Sequence, residues 1–231
     1  MEKKQKEQQI KQILFTLGAD VCGIGAIDRF QKAPKGFSPL DLYEGCKSVI
    51  AIGVALPKGI MAVEPRCIYA HFNDPILTAK VDEIAVLGAK EIEKQFGGLA
   101  IPIPCDAPND YWEPENLTAK GLISMKHTAV LCGIGQLGKN SLLLHPTFGN
   151  LLTIGVILTD LELESDALCE NICIEGCNQC IASCPVQAIE EGRVNQKLCR
   201  PNAYGKTARG FGTVECHQCR NVCPMKFGKK G

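Results

Sequence analysis

The 231-residue sequence lacks the marks of an exported or membrane-embedded protein. Its amino-terminal stretch, MEKKQKEQQIKQILFTLG, has neither the apolar core of a signal peptide nor a twin arginine. No apolar run approaches the length that crosses a bilayer. We therefore expect a soluble, cytoplasmic protein in a reducing compartment where structural disulfides are rare.

Cysteine is abundant instead, and its spacing is the strongest signal in the chain. Two segments share one form, Cys177-x2-Cys180-x3-Cys184-Pro185 and Cys216-x2-Cys219-x3-Cys223-Pro224. This spacing is typical of bacterial two-cluster ferredoxins, in which the cysteine before each proline ligates the other cluster. The pattern predicts one 4Fe–4S cluster on Cys173, Cys177, Cys180 and Cys223, and a second on Cys184, Cys199, Cys216 and Cys219.

Three alternatives to this ligand assignment stay open. Cys173 precedes Cys177 by a longer interval than usual, so Cys169 competes as first ligand. Paired Cys-x2-Cys motifs also occur in zinc ribbons, although the Cys-Pro endings favour iron–sulfur. Disulfides are the third alternative. The cysteines outside the predicted ligand sets are expected to act as small hydrophobic residues.

Net charge is zero, but its distribution along the chain is uneven. No lysine or arginine lies between Lys139 and Arg193, whereas basic residues dominate from Gly192 onward, with Glu215 as the single acid. These cations either compensate the negative charge of the clusters or form a docking face for an acidic electron donor or for RNA.

Hydrophobic periodicity predicts a layered α+β domain over residues 1–162, followed by a small ferredoxin-type domain over residues 163–231 that packs against it. Asp74 is predicted to cap a helix whose first residue is Pro75. The pattern predicts helices over 4–17, 74–96 and 122–131, and strands over 20–27, 48–56, 99–104 and 151–159.

A glycine-rich loop, Gly133-x-Gly135-x-x-Gly138, matches the dinucleotide-binding fingerprint, and Asp160 follows at the expected distance. The context argues against nicotinamide binding, because Pro146 interrupts the segment after the glycines before a regular helix can form. A loop whose backbone approaches some large ligand remains plausible, since glycine permits a close approach.

Residues 124–160 resemble the central motif of the epoxyqueuosine reductase and reductive dehalogenase superfamily. The family pattern is Gly-hydrophobic-Gly, then Gly-Lys-Asn, then a proline and a glycine before a strand ending in Thr-Asp, and the sequence from Gly133 to Asp160 meets it. The ferredoxin-type segment follows directly, as it does in that family.

The resemblance implies a nitroreductase-like, corrinoid-binding fold for the first domain, with cobalamin held base-off beside two 4Fe–4S clusters. Electrons would come from a low-potential donor such as ferredoxin or flavodoxin, and the substrate would be a small molecule or a modified nucleoside. Asp106, in Cys105-Asp106-Ala107-Pro108, inherits the role of proton donor, unless it merely begins a turn before Pro108. The residues expected at the corrinoid are Gly133, Gly135, Gly138, Lys139 and Asn140.

Other readings of the same residues remain. The chain is shorter than typical epoxyqueuosine reductases, and Asn109–Glu115 departs from their pattern, which leaves the substrate and tRNA binding open. An electron-transfer protein without a corrinoid, or a reductive activator of another corrinoid protein, would also need the clusters. Tyr111 and Trp112 either line a pocket or pack, and His127 and His145 are expected to be structural.

Overall fold

Short strands and helices alternate along the chain in a computed structural model that describes residues 3–64, 66–107, 111–203, 205–206, 209, 212–213 and 216–229. The α-helices are α1 (Lys3–Thr16), α2 (Pro39–Leu42), α3 (Arg66–His71), α4 (Leu77–Phe96), α5 (Met125–Leu131), α6 (Gln179–Ala182), α7 (Gln196–Ala203) and α8 (Gln218–Asn221). The strands are β1 (Val21–Ala26), β2 (Ser48–Ala55), β3 (Ala100–Ile103), β4 (Tyr111–Glu113), β5 (Thr118–Lys120), β6 (Gln136–Leu137), β7 (Leu143–Leu144), β8 (Leu152–Thr159), β9 (Ile189–Glu190), β10 (Arg193–Val194), β11 (Gly205–Lys206) and β12 (Gly212–Thr213).

The central sheet has the strand order β1-β2-β8-β3, and every neighbouring pair is antiparallel. Ile50 of β2 lies opposite Ile24 on one side and Ile157 on the other. All three are fully buried, and together they form one row across the sheet. Because strand side chains alternate between faces, these β-branched runs bury both faces of the sheet.

Helices cover one face of the sheet, and α5 with the β6–β7 hairpin covers the other. On the first face, α1 and α4 contribute Ile10, Leu14 and Ile84 to one apolar cluster. On the second, Ala129 and Leu143 pack with Val49, Val156 and Leu158. Each fully buried aliphatic side chain contributes about 1.5–3 kcal/mol to stability. The predicted layered α+β fold is confirmed, and none of the described helices is long and apolar enough to cross a membrane.

The prediction that a helix begins at Asp74 is wrong. An α-helix already runs over α3, a π-helical turn spans Phe72–Ile76, and α4 continues from Leu77. Pro75 has no N–H to donate and its ring crowds the preceding turn, and a widened π turn accommodates both defects. Asp74 therefore lies within a helical bulge, where its side chain lines a cleft instead of capping a helix end.

The cysteine-rich segment is fastened to the αβ layers by hydrogen bonds from buried asparagines. Asn140 donates its amide N–H to the carbonyl of Cys219 (3.0 Å), and Asn150 donates to the carbonyl of Arg220 (3.1 Å). The backbone N–H of Asn150 donates to the carbonyl of Lys226. Buried amides that satisfy loop carbonyls fix the relative position of the two parts.

Two glycines allow this close contact. Gly149 has a positive φ of 57°, and a Cβ there would lie 2.1 Å from the Lys226 carbonyl oxygen. Gly228, at φ 85°, approaches the Pro146 carbonyl in the same way. Residues with side chains would push the segments apart.

The stretch after residue 162 also belongs structurally with the αβ layers. The backbone N–H of Ile24 in β1 donates to the carboxylate of Asp166, and the N–H of Asp166 donates to the Ile24 carbonyl, both at 2.8 Å. Ser165 accepts from Ala26 through its hydroxyl oxygen. Residues 163–166 therefore extend the edge of the sheet before the chain reaches the cysteines.

Candidate functional site

Four of the predicted cluster cysteines line one small, partly open cavity. The end of the glycine-rich loop forms part of the same wall, and the residues that complete it are Gly138, Lys139, Asn140, Leu144, Ile174, Pro224 and Met225. The cysteines on this cavity are Cys173, Cys177, Cys180 and Cys223. They are the same four that the sequence pattern groups together.

Electrostatic coupling between thiols gives the same grouping. Burial raises the pKa of Cys223, and the neighbouring thiols of Cys173, Cys180 and Cys177 raise it further. Burial likewise raises the pKa of Cys199, followed by the thiols of Cys216 and Cys184.

The two groups meet at Cys219. Its pKa rises to about 11, chiefly through burial; Arg220 opposes the rise, whereas Cys216, Cys199 and Cys180 add to it. Helices α6 and α8, which carry Cys180 and Cys219, lie against each other. The two groups of thiols are therefore neighbours.

The donor set around the cavity consists of four cysteine thiols, which is the number and type of ligand that a 4Fe–4S cluster requires. Across the described ranges, no three His, Cys, Asp or Glu side chains form a group that could hold a single metal ion.

Cys169, the competing first ligand, points elsewhere. Its thiol donates to the carbonyl of Gly133 at 3.0 Å, and its own carbonyl accepts from the side chain of Gln136. Burial raises its pKa. Cys173 lines the cavity, with its backbone N–H donating to the side-chain oxygen of Asn171.

Two glycines of the glycine-rich loop are required by close contacts with other backbone segments of the protein. Gly133 has φ 78°, and a Cβ there would lie 2.3 Å from the Ala167 carbonyl oxygen. A Cβ at Gly135 would lie 2.5 Å from the Leu144 carbonyl oxygen. A larger residue at either position would disturb this packing before it reached any ligand, so the corrinoid contact expected of these glycines stays a prediction.

The remaining loop residues have partners in the cysteine-rich part. Lys139 pairs with Glu191 at 3.4 Å, and its carbonyl accepts from Gly192. Asn140 is buried and uses both ends of its amide, accepting from the Leu142 N–H and donating to Cys219. None of the five loop residues predicted at the corrinoid lines the cleft described below.

The dinucleotide fingerprint does not form its usual structure. The loop follows α5 and leads into the β6–β7 hairpin, whereas the fingerprint joins a strand to a helix. Asp160 accepts from the N–H of Leu99 (2.9 Å) and from the Tyr43 hydroxyl (3.2 Å). These bonds give Asp160 a structural role.

A second, open cleft of about 250 Å³ adjoins the cysteine-rich part. Its floor is apolar, with Leu142, Leu143, Leu152 and Ile154 from β7, β8 and the loop before β7. Its walls are polar, and the side chains that complete the lining are Asn73, Asp74, Thr78, Cys105, Asp106, Met125, Lys126, Asn150, Thr153 and Arg220.

One wall of the cleft carries two carboxyl groups. Asp106 follows β3 directly after Cys105, whose backbone N–H donates to the side chain of Asp82 at 3.0 Å. Asp74 faces the same space from the π turn. Desolvation raises the pKa of Asp74, and the nearby charge of Asp106 raises it further. Two neighbouring carboxyls that resist joint ionisation can hold a proton.

The lining of the cleft also includes two cations, Lys126 on α5 and Arg220 on α8. Desolvation and the charge of Arg220 lower the pKa of Lys126, while Cys219 acts in the other direction. The coupling to Cys219 places this part of the cleft next to the second cysteine group.

The chain resembles known redox proteins in sequence and in shape. It is 26% identical over 269 aligned residues to an epoxyqueuosine reductase of Bacillus cereus, a match covering 99% of this chain and 66% of that protein. It superimposes with a TM-score of 0.71 and 19% identity on an epoxyqueuosine reductase bound to a tRNA-Tyr epoxyqueuosine-modified stem loop, over 100% of this chain and 68% of that one. A reductive dehalogenase structure described for B12-dependent dehalogenation matches with a TM-score of 0.65 and 16% identity, over 93% and 31%.

The chain is similar in sequence to epoxyqueuosine reductases over nearly its whole length, and it shares its fold with them and with reductive dehalogenases. No family model matches it. It spans about two thirds or less of the length of the first curated relatives it matches. The recognition made from the glycine loop and the cysteine spacing is thereby confirmed, as is the corrinoid-binding type of fold.

The two histidines near the glycine-rich loop have local structural partners. His145 accepts from the N–H groups of Thr147 and Phe148 at 3.0 and 3.2 Å through Nδ1. His127 shares a 2.7 Å hydrogen bond with the hydroxyl of Ser124, the residue that caps α5. Neither lines the cleft.

Tyr111 and Trp112 also lie outside the cleft, on the β4–β5 hairpin. The Lys120 ammonium lies 4.7 Å from the Tyr111 ring, and the Arg200 guanidinium lies 5.5 Å from the Trp112 ring. Pro108, with Asn109 and Asp110, falls outside the described residues.

We predict that Asp74→Asn stabilises the protein at neutral pH. The folded-state pKa of Asp74 is raised above 3.8, so folding loses stability as pH rises from about that value through the folded pKa. The gain in melting temperature should be full at pH 8 and shrink toward pH 4. Anaerobic melting curves would check this, with Asp28→Asn, an exposed carboxylate outside the cleft, as control. A gain independent of pH would contradict the assignment.

Proposed function

We propose that this chain is an iron–sulfur reductase that passes electrons through two 4Fe–4S clusters to a cobalamin bound in the acid-walled cleft. A small substrate is reduced there. The observation that carries the proposal is the adjacency of the two sites, since Arg220 lines the cleft and directly follows Cys219 on α8, and Asn150 of the cleft lining donates to the Arg220 carbonyl. The relatives and the B12-dependent dehalogenation described for a similar structure support the same chemistry.

The proposed ligand sets follow the grouping of the thiols. The first cluster is held around the cavity, and the second by Cys199, the two thiols coupled to it and Cys219. Their thiolates hold the iron, and nearby backbone N–H groups adjust its potential. The proposed ligands are Cys173, Cys177, Cys180 and Cys223 for the first cluster, and Cys184, Cys199, Cys216 and Cys219 for the second.

The cleft has the surface that a corrinoid requires. A corrin has apolar faces and a rim of amide groups, and the cleft combines an apolar floor with polar walls. Asn150 is only 1% exposed, and its side-chain oxygen has no hydrogen-bond partner among the described residues. A buried, unpaired acceptor is unfavourable unless a ligand donates to it, and a corrin amide can do so.

When bound, cobalamin supplies a low-valent cobalt that delivers electrons to the substrate. Asp106 supplies the proton, because it faces the cleft and its loop is fixed by the Cys105–Asp82 hydrogen bond. Asp74 faces the same cleft, and desolvation together with the charge of Asp106 raises its pKa. The apolar floor limits water around the reacting groups.

The substrate is proposed to be a small molecule or a modified nucleoside, and the donor a low-potential protein such as ferredoxin or flavodoxin. The modified stem loop in the similar structure supports the nucleoside class. Basic residues of the carboxy-terminal part, among them Lys197, Arg200 and Lys229, offer a docking charge for an acidic donor.

The choice of first ligand can be tested by iron content. Anaerobically reconstituted protein is expected to hold two clusters, and Cys173→Ala should lose about one of them. Cys169→Ala is the matched control, because its thiol bonds to the Gly133 carbonyl away from the cavity. Iron and labile sulfide analysis of the two variants checks this. Loss confined to the Cys169 variant would reverse the assignment, and an iron-free, zinc-loaded protein would refute the clusters altogether.

The corrinoid site can be tested by filling the cleft. Thr153 is half-buried on β8 and lines the cleft, so Thr153→Trp should abolish cobalamin binding while the iron content stays unchanged. Thr118→Trp, on the hairpin outside the cleft, should bind normally. Anaerobic calorimetry with cobalamin measures both. Equal binding by the two variants would place cobalamin elsewhere, and no binding by the parent protein would favour the electron carrier or the activator of another corrinoid protein.

A further inference from the structure

The cleft contains two cations for which the described part of the chain provides no carboxylate partner. Lys126 and Arg220 both line it, yet within the described residues neither forms an ion pair, although six other lysines do. Two like charges near each other repel, which disfavours their juxtaposition without an anion. Their position facing the cleft leaves that place for a ligand.

Arg220 is held in place by its surroundings. Its guanidinium lies 5.7 Å from the centre of the Tyr69 ring, which stacks on His217 at 4.8 Å. Its carbonyl accepts from the side chain of Asn150. A guanidinium fixed on an aromatic ring loses little conformational entropy when it binds an anion.

The charged side chains of the cleft form two separate pairs. Asp74 is coupled to Asp106 and Lys126 to Arg220, and no ion pair joins the acidic pair to the basic pair in the described part of the chain. A substrate with an anionic group at one end is therefore oriented, because its anion is attracted to the cations and repelled by the carboxyls. The reducible end then faces the proton source.

We propose that Lys126 and Arg220 form a subsite for an oxyanion of the substrate, a carboxylate or a phosphate. An arginine fork and a mobile ammonium together match the several oxygens of such a group. The corrinoid's nucleotide loop also carries a phosphodiester, so the same chemistry has a second source. The segregation of charge favours the substrate, since the anion must lie away from the acids that face the reacting atom. Only the identification of the occupant as a substrate rests on the proposed function.

The subsite can be measured without cobalamin. The protein is reconstituted with its clusters, reduced, and titrated with inorganic phosphate while the phosphorus resonance is followed. Because Arg220 adjoins Cys219, phosphate bound there lies close to reduced, paramagnetic iron and its signal should broaden with saturation. Lys126→Gln and Arg220→Gln should each weaken binding by about tenfold or more. Lys47→Gln, a surface lysine paired with Glu162, is the control and should bind like the parent.

Several results would overturn the proposal. No saturable broadening in the parent protein, or equal broadening in the Lys126 and Arg220 variants, removes the subsite. If the Lys126 and Arg220 variants shift the reduction potential of the clusters but bind phosphate like the parent protein, the two cations serve to compensate the charge of the clusters. Displacement of phosphate by cobalamin but not by cobinamide, which lacks the phosphodiester, assigns the subsite to the cofactor. If phosphate binds equally in the presence of either corrinoid, the substrate role is supported. If neither corrinoid binds, the proposed function is refuted while the evidence for the subsite is unaffected.

Discussion

Asp106→Asn is expected to lower turnover by about 10²- to 10⁴-fold while both clusters and cobalamin binding persist. Asparagine keeps the size of the side chain but cannot supply a proton to a developing negative charge. Asp106 is exposed and lines the open cleft, so the substitution leaves no buried group unpaired. Single-turnover reduction with chemically reduced protein measures the effect apart from the electron donor.

Two companion variants separate proton supply from mere position. Asp106→Glu should recover part of the lost turnover, since it restores an acid. Asp82→Asn keeps an acceptor for the Cys105 N–H and should change turnover far less. Full activity of the Asp106→Asn protein would mean that Asp106 only begins a turn, and the proton source would have to be sought at Asp74.

The second large effect is expected at the contact between the two parts of the chain. An alanine at Gly149 would bring its Cβ to 2.1 Å from the Lys226 carbonyl oxygen, in a backbone conformation that disfavours side chains. The carboxy-terminal segment must move away, which should lower stability by about 1–3 kcal/mol or more. Turnover should fall as well, because Asn140 and Asn150 would lose their bonds to Cys219 and Arg220.

Gly36→Ala is the matched control for Gly149→Ala. Gly36 also has a positive φ, 83°, but no atom lies within 4 Å of the added Cβ, so only the backbone strain of about 1–2 kcal/mol applies. Anaerobic melting and the rate of iron release to a chelator compare the two. If both variants lose iron at the same rate, the close contact at Gly149 does not hold the cluster segment.

The sequence was sufficient for the elements with strong periodicity. The apolar run from Ser48 to Leu56 predicts β2 closely, because a strand buried on both faces must be apolar throughout. The doubled cysteine spacing likewise groups Cys173 with Cys223, and both line one cavity. Both features depend on residue types at fixed spacing along the chain, so they can be predicted from a single sequence.

The cleft itself was not predicted. Asp106, which lines it, was named through the family resemblance, whereas Asp74 was assigned to a helix cap because Asp-Pro is a common helix start. The signal that was missed is the apolar and aromatic pattern of Arg66–His71, which extends the helix before the proline. Lys126, Arg220 and Asn150 converge only through the tertiary packing of α5, α8 and β8, which local sequence does not encode.

The most direct test of the account is the visible spectrum of anaerobic, reconstituted protein with one equivalent of cobalamin, recorded before and after the clusters are reduced. We predict a base-off cobalamin spectrum on binding. When the clusters are then reduced, their visible absorption should bleach, and electrons should pass from them to the cobalt. Cys219→Ala should keep the base-off spectrum but lose the transfer, because Cys219 belongs to the group beside the cleft. A spectrum identical to that of free cobalamin, with the clusters remaining reduced beside it, would contradict the account.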